Sequence, residues 1–196
     1  MDIHMQQIQA PKGTKDVLPS ESSKWHYIES TRRAICTAFG AMEMRTPIIE
    51  HTELFLRGVG DTTDIVQKEM YTFNDKGNRS ITLKPEGTAG IVRAFLENRL
   101  FNEPMPQKLY YLNSPTFRYE KPQAGRYREH HQFGVEFIGS FAAETDAEVM
   151  LLAMNLFDRL GVTQLSLHIN SIGCPHCRKS YNAALKEYLS RYIDDM

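Results

Sequence analysis

The chain has 196 residues, 41% of them hydrophobic, 10% aromatic and 24% charged, a balance that suits a globular core of one or two domains. A formal net charge of −1 sets up no overall basic field, so any nucleic-acid contact has to come from local patches. The opening MDIHMQQIQA has no apolar core of a secretory signal, the longest apolar run (VMLLAM) is too short to cross a membrane, and Cys36, Cys174 and Cys177 make no secreted disulfide framework, so a cytoplasmic protein with no membrane partner is expected.

Residues 10–20, APKGTKDVLPS, read as an irregular opening segment with a proline near each end. A helix follows from Pro19-Ser20, with Ser20 or Ser22 as N-cap, Trp25, Ile28, Ile35 and Phe39 near one face, and Gly40 as the stop. AMEMRTPIIE is then a strand broken by Pro47, which confines it to an edge or an irregular join. Residues 58–84 hold the Gly-rich turn GVGDTTD and the hairpin KEMYTF–NDKGN–RSITLK, with turn chemistry at Asn74 to Asn78. GVG is no phosphate loop, since it lacks GxxxxGK[ST] spacing and does not link a strand to a helix.

In TLKPEGTAGIVRAFLENRL a strand ends at Lys84-Pro85 and a helix starts near Gly87, with Ile91, Ala94 and Phe95 at helical spacing. Glu86 and Thr88 carry two readings. They cap that helix, or their carboxylate and hydroxyl grip a substrate ammonium. KLYYL is a short aromatic strand, and Asn113-Ser114-Pro115 predicts a bend ahead of Arg118.

The stretch SPTFRYEKPQAGRYREHHQFGVEFIG, residues 114–139, reads as two strands joined by a basic loop. Alternation puts His131, Phe133, Val135 and Phe137 on an apolar face, and His130, Gln132, Gly134 and Glu136 on the other. If the strands pair, Arg118, Glu120, Gln132 and Glu136 share one space, with Arg126 and Arg128 on the loop above it and Gly134 leaving room for a ligand against the backbone. Arginines beside carboxylates suit a ligand that carries both phosphate and amine groups, while the plainer reading is a hairpin with one wet, charged face.

Thr145-Asp-Ala-Glu148 has the form of a capping box, followed by Val149, Leu152, Ala153, Leu156, Phe157 and Leu160 at helical spacing and by Gly161. QLSLHIN alternates as a strand, with Leu165, Leu167 and Ile169 inward. The last helix starts at Pro175, with Cys174 and Cys177 as a C-x-x-C at its head. That pair reads as a redox couple, as half of a zinc site that needs four ligands, or, most simply, as two plain thiols. Together the elements predict an α+β fold, an antiparallel sheet flanked by helices.

Phe-Arg-x-Glu, the Gly-Arg loop and the following strand resemble motif 2 of the class II aminoacyl-tRNA synthetases, and the helix, strand and Pro47 resemble motif 1, which in that class builds a dimer interface. TLKPEGTAG and FRYEKPQAGRYREHHQFGVE are similar to the histidyl-tRNA synthetase versions, and the resemblance runs from KGTKDVLP to residues 164–170. It implies a class II catalytic domain with ATP and Mg2+ as cofactors and L-histidine, ATP and tRNA(His) as partners, in a homodimer. The reaction is formation of histidyl-adenylate and transfer to tRNA. It implies that Glu86 and Thr88 hold the histidine amino group and that Arg118 bridges the histidine carboxylate and the α-phosphate. Glu120 reads the adenine amino group, and Arg126 reaches the outer phosphates. Gln132 lies by the reacting carboxylate, and Glu136 accepts from the imidazole. His130 stands where the family usually stacks Phe on adenine. Cys174 and Cys177 become half of a zinc site whose other pair follows in some bacterial members. Residues 1–196 are then expected to be the amino-terminal part of the catalytic domain, without motif 3, the histidine-specific segment or the anticodon-binding domain, and inactive alone. The other readings are the histidine-binding regulatory paralogue of ATP phosphoribosyltransferase, which has no need of Arg118, Glu120 and Arg126, and a dimerisation fragment without activity.

Overall fold

The computed structural model describes residues 8–59, 69–119, 121, 123–170 and 173–192. The chain divides after Val162 into two compact units. The first holds helices α1 (Pro19–Ala38), α2 (Thr52–Val59), α3 (Thr88–Glu97) and α4 (Ala143–Arg159), and strands β1 (Met42–Glu43), β2 (Ile49–His51), β3 (Tyr71–Asn74), β4 (Ser80–Leu83), β5 (Gln107–Phe117) and β6 (Glu129–Ile138). The second holds α5 (Pro175–Ser190).

Pro47 separates β1 from β2, and the two go to different sheets. β1 runs parallel to β5 at the edge of a sheet ordered β1-β5-β6, while β2 is the antiparallel edge of β2-β4-β3. The sheets meet where the Phe117 amide donates to the Lys84 carbonyl at 3.0 Å. The β5–β6 hairpin is the largest pairing, with Tyr111 opposite Gly134, Ser114 opposite Gln132 and Thr116 opposite His130. The bend expected at Asn113-Ser114-Pro115 is absorbed without ending the strand. Between Tyr111 and Ser114 the register slips by one residue, a bulge that bends the strand while it stays paired.

Alternation along the hairpin sorts the core. One face presents Tyr110, Phe133, Val135 and Phe137 to Ile35 and Cys36 of α1 and Leu152 and Leu156 of α4. The other presents Leu109 and Tyr111 to Ile91 and Phe95 of α3. The hairpin is thus covered by helices on its apolar face, while α3 covers only part of the opposite one, and the turn that opens α3 is brought to β6.

Three local expectations are corrected. α1 starts at Pro19 with Leu18 as an extended N-cap that makes no side-chain cap bond, and the Ser22 hydroxyl donates back to the Leu18 carbonyl at 3.2 Å, so neither Ser20 nor Ser22 is the cap. α4 starts at Ala143, ahead of the supposed capping box. The Thr145 hydroxyl donates to Ser140 Oγ at 2.7 Å and Glu148 pairs with Lys108 of β5, so a tertiary ion pair takes the side chain that local pattern assigned to the helix end. Residues 163–170 form no strand. Leu165, Leu167 and Ile169, expected to point inward, are 40%, 53% and 71% exposed.

Candidate active site

The turn Pro85–Ala89 sits over the polar side of β6, where it meets Gln132 and Glu136. Gln132 Oε1 accepts from the Gly87 amide at 2.7 Å. The Glu86 carboxylate accepts from the amides of Thr88 at 2.7 Å and Ala89 at 2.8 Å, so it caps the first turn of α3. The Thr88 side chain lies against both Glu136 and the Tyr111 phenol and favours the charged form of each. Burial, with a smaller contribution from the nearby Glu86 charge, pushes the Glu136 carboxyl above its ordinary range, and Thr88 opposes that. Burial also raises the Tyr111 phenol.

The space expected above Gly134 is filled by the chain itself. A Cβ built on Gly134 would lie 2.3 Å from Tyr111 Oη, and one on Gly87 2.5 Å from the same ring. Tyr111 is 4% exposed, and two glycines let it lie between β6 and the α3 turn. Gly134 therefore serves a protein side chain rather than a ligand at this point.

Arg118 enters from the end of β5. Its amide donates to the Arg128 carbonyl at 2.8 Å and its Nε to the Pro85 carbonyl at 3.3 Å, which brings the half-buried guanidinium to the same turn. The basic loop is closed by reciprocal backbone bonds between Gln123 and Arg126, and Arg126 is exposed at its tip. Both Arg128 and Glu129 amides donate to the Gly13 carbonyl, at 2.7 and 3.2 Å, and the Arg128 guanidinium lies 4.5 Å from the centre of the Tyr119 ring. His130 lines a different cavity, of about 170 Å³, with Lys15, Val17, Trp25 and His131. Of the residues picked out by sequence, Glu86, Thr88, Gln132, Glu136 and Arg118 gather at the α3 turn, while Arg126 is exposed on its loop and His130 lines the second cavity. Glu120 lies outside the described residues.

Sequence reasoning missed Tyr111 and Lys84. Tyr111 was detectable in principle, because pairing brings it opposite Gly134. Lys84 carries no such signal. It is 1% exposed, and its Nζ donates to the carbonyl and the hydroxyl of Thr46, each at 3.3 Å. Burial depresses its pKa, against the opposing pull of Glu50 and Glu86.

In the second unit Cys174 is the N-cap of α5. Its sulfur accepts from the Cys177 amide at 3.4 Å and lies 3.3 Å from Cys177 Sγ. The hydrogen bond from the Cys177 amide, first among several, holds the Cys174 thiol below its ordinary pKa. Cys36, in the core of the first unit, is pushed up to about 11 by burial. Among the described residues no three His, Cys, Asp or Glu side chains come together as metal ligands. No described helix is long and apolar enough to cross a membrane.

A β-hairpin with helices on its apolar face, and a polar face on which an arginine and the turn of a third helix converge, is the catalytic fold of a class II aminoacyl-tRNA synthetase. The family model described as histidyl-tRNA synthetase matches residues 13–176. The histidine–tRNA ligase of Caldanaerobacter subterraneus subsp. tengcongensis is 62% identical over 187 residues, 95% of this chain and 45% of that relative. The apo S. aureus histidyl-tRNA synthetase superposes with a TM-score of 0.77 at 43% identity, over 97% of this chain and 44% of that one. A Bacillus halodurans ATP phosphoribosyltransferase regulatory subunit/histidyl-tRNA synthetase superposes with a TM-score of 0.67 at 26% identity, over 80% of this chain and 39% of that one. The chain belongs to the histidyl-tRNA synthetase family, and it spans less than half the length of the curated relatives it matches.

Proposed function

We propose that this chain is the amino-terminal part of the catalytic domain of a cytoplasmic, homodimeric histidine–tRNA ligase. The enzyme activates L-histidine with ATP and passes it to tRNA(His). The observation that carries the reading is the meeting of Glu86, Thr88, Gln132, Glu136 and Arg118 at one turn. A carboxylate and a hydroxyl suit an α-ammonium group. A second carboxylate suits the N–H of an imidazole, which an apolar pocket would reject. Arg118 suits the anionic pair that has to react.

In the first step a histidine carboxylate oxygen attacks the α-phosphorus of ATP, and pyrophosphate leaves with the bonding electrons. In the second, a ribose hydroxyl at the tRNA 3′ end attacks the acyl carbon and AMP leaves. Both anions and the charge spreading over the phosphate oxygens are stabilised by the Arg118 guanidinium, whose Nε donates to the Pro85 carbonyl while its main-chain amide is fixed by the Arg128 carbonyl. Gln132 lies beside the reacting carboxylate, Arg126 reaches the outer phosphates, Glu120 takes the adenine amino group, and His130 stacks on the adenine. Mg2+ would enter on the phosphates of the ATP substrate and offset their charge. Cys174 and Cys177 are half of a zinc site completed elsewhere in the protein.

The regulatory-paralogue reading is the weaker one, since the relative that shares that description is 26% identical where the ligase is 62% identical. The test is histidine-dependent ATP–pyrophosphate exchange by the full-length protein. Arg118→Ala is expected to slow exchange by about a hundredfold. Exchange at the native rate in Arg118→Ala would remove the central hairpin from the reaction.

A further inference from the structure

The turn that carries Glu86 is fastened on both sides by one short stretch, Thr46–Glu50, the join between β1 and β2. Upstream of Glu86, the buried Lys84 ammonium donates to the Thr46 carbonyl and hydroxyl, and the Lys84 amide to the Ile48 carbonyl at 2.9 Å. Downstream, α3 presses on the same stretch. A Cβ on Gly90 would lie 3.0 Å from Thr46 Oγ1 and 3.4 Å from Glu50 Oε1. One turn further along α3, Arg93 donates twice to Glu50, Nε at 2.8 Å and Nη2 at 2.7 Å, and Glu50 is 7% exposed. The remaining Arg93 nitrogen, Nη1, pairs with the more exposed Glu97 on the same helix.

A guanidinium–carboxylate pair with its carboxylate buried and its guanidinium partly exposed gains little net stability over an apolar pair of the same size, so stability alone is a weak reason for it. What two parallel hydrogen bonds supply is a fixed orientation. α3 already has an apolar contact surface in Ile91 and Phe95, which resists separation but tolerates sliding and rotation. Glu86 is tied to the amides of Thr88 and Ala89, so any rotation of the first turn moves its carboxylate directly. Arg93 stands about 7 Å along the axis from Thr88, within the same rigid helix.

We propose that Glu50 and Arg93 are positioning residues for the amino-acid ammonium site. They set the rotation of α3, and so the place of the Glu86 carboxylate and the Thr88 hydroxyl, without touching substrate. This rests on the assignment of Glu86 and Thr88 to the α-amino group of histidine. The pair therefore acts first at the ammonium end of the substrate, where Glu86 and Thr88 ride on the helix it orients, and discrimination at that end is its signature.

The experiment measures binding of L-histidine, and of its analogue with a hydroxyl in place of the α-amino group, to the full-length protein by calorimetry. Glu50→Gln and Arg93→Met are expected to weaken histidine by ten- to a hundredfold, the usual effect of a misplacement near 1 Å, and to weaken the hydroxyl analogue clearly less. Arg93→Lys, which keeps the charge and loses the paired geometry, is expected to fall between these variants and the native protein, and it carries the test if the others fail to fold. Equal weakening of both ligands, or native selectivity in Arg93→Lys and Arg93→Met, overturns the proposal. Glu86→Gln separates the two levels. If it leaves selectivity intact, the ammonium assignment itself is wrong. If it abolishes selectivity while Arg93→Met does not, only the positioning role falls.

Discussion

Glu136 carries a cost that its neighbours define. It is half-buried beside the Glu86 charge, with the Thr88 side chain opposing the shift, so its carboxyl keeps a proton to higher pH in the folded chain than in the unfolded one. The unfolded carboxyl titrates near about 4.3. Between that value and the raised folded value the native state binds more protons than the unfolded state, and stability falls as pH rises through this window. Glu136→Gln is expected to flatten that decline, read as the urea midpoint across mildly acidic to neutral pH. A decline of native steepness in Glu136→Gln would assign it to another group. A ligand imidazolium facing Glu136 would favour its charged form, which is the chemistry the proposed histidine site requires. Tyr111 shows the complementary point at the same scale. Only glycine at 87 and 134 leaves its ring a place, so two small residues far apart in sequence exist for one large one.

α3 is the element on which the site turns, because its N-terminus offers amides and its flank is bolted to the β1–β2 join. Of the two readings that local pattern left open for Glu86, the structure shows the cap, and the proposed ammonium contact is compatible with it. In this state its carboxylate caps the helix, and a substrate ammonium would meet a carboxylate already fixed by two amides. α5 is arranged differently, with Cys174 as its cap and Cys177 one turn inside. Two thiols 3.3 Å apart at a helix head make a compact soft-ligand pair, which motivates the proposed zinc half-site. The full-length protein is expected to contain one zinc per chain by metal analysis, with both thiols protected from alkylation until a chelator is added. Absence of zinc together with free alkylation of Cys174 and Cys177 would leave the pair as plain thiols.

At the scale of the whole molecule, the open edges invite a second copy. β1 and β2 are edge strands, and Met42, Ile48 and Ile49 in and between them are 58%, 42% and 47% exposed. Uncovered apolar edges of this kind are usually blocked by charge or paired. Association of two chains through residues 20–60 would cover them, in line with the motif 1 resemblance. Sedimentation of the full-length protein at micromolar concentration is expected to report a dimer, and Ile48→Lys a shift toward monomer. A native protein that sediments as a monomer would remove this segment's assigned role.

Patterns that depend on near neighbours were legible in the sequence. The period of two along residues 131–137 assigned the helix-covered face of β6. The 3.6 period after residue 149 placed Leu152 and Leu156 in the core, and Pro47 marked the break between β1 and β2. The motif residues Glu86, Thr88, Arg118, Gln132 and Glu136 could be named, but not the way they meet. What tertiary structure decided is which distant group fills a given space or satisfies a given charge. It put the Tyr111 ring where a ligand was expected, buried Lys84 against Thr46, and drew Glu148 from a helix cap to Lys108. It also set β1 parallel to β5 and left residues 163–170 without a ladder. Each of these depends on strand register and on partners tens of residues away, whereas sequence periodicity reports only which side of its own element a residue occupies.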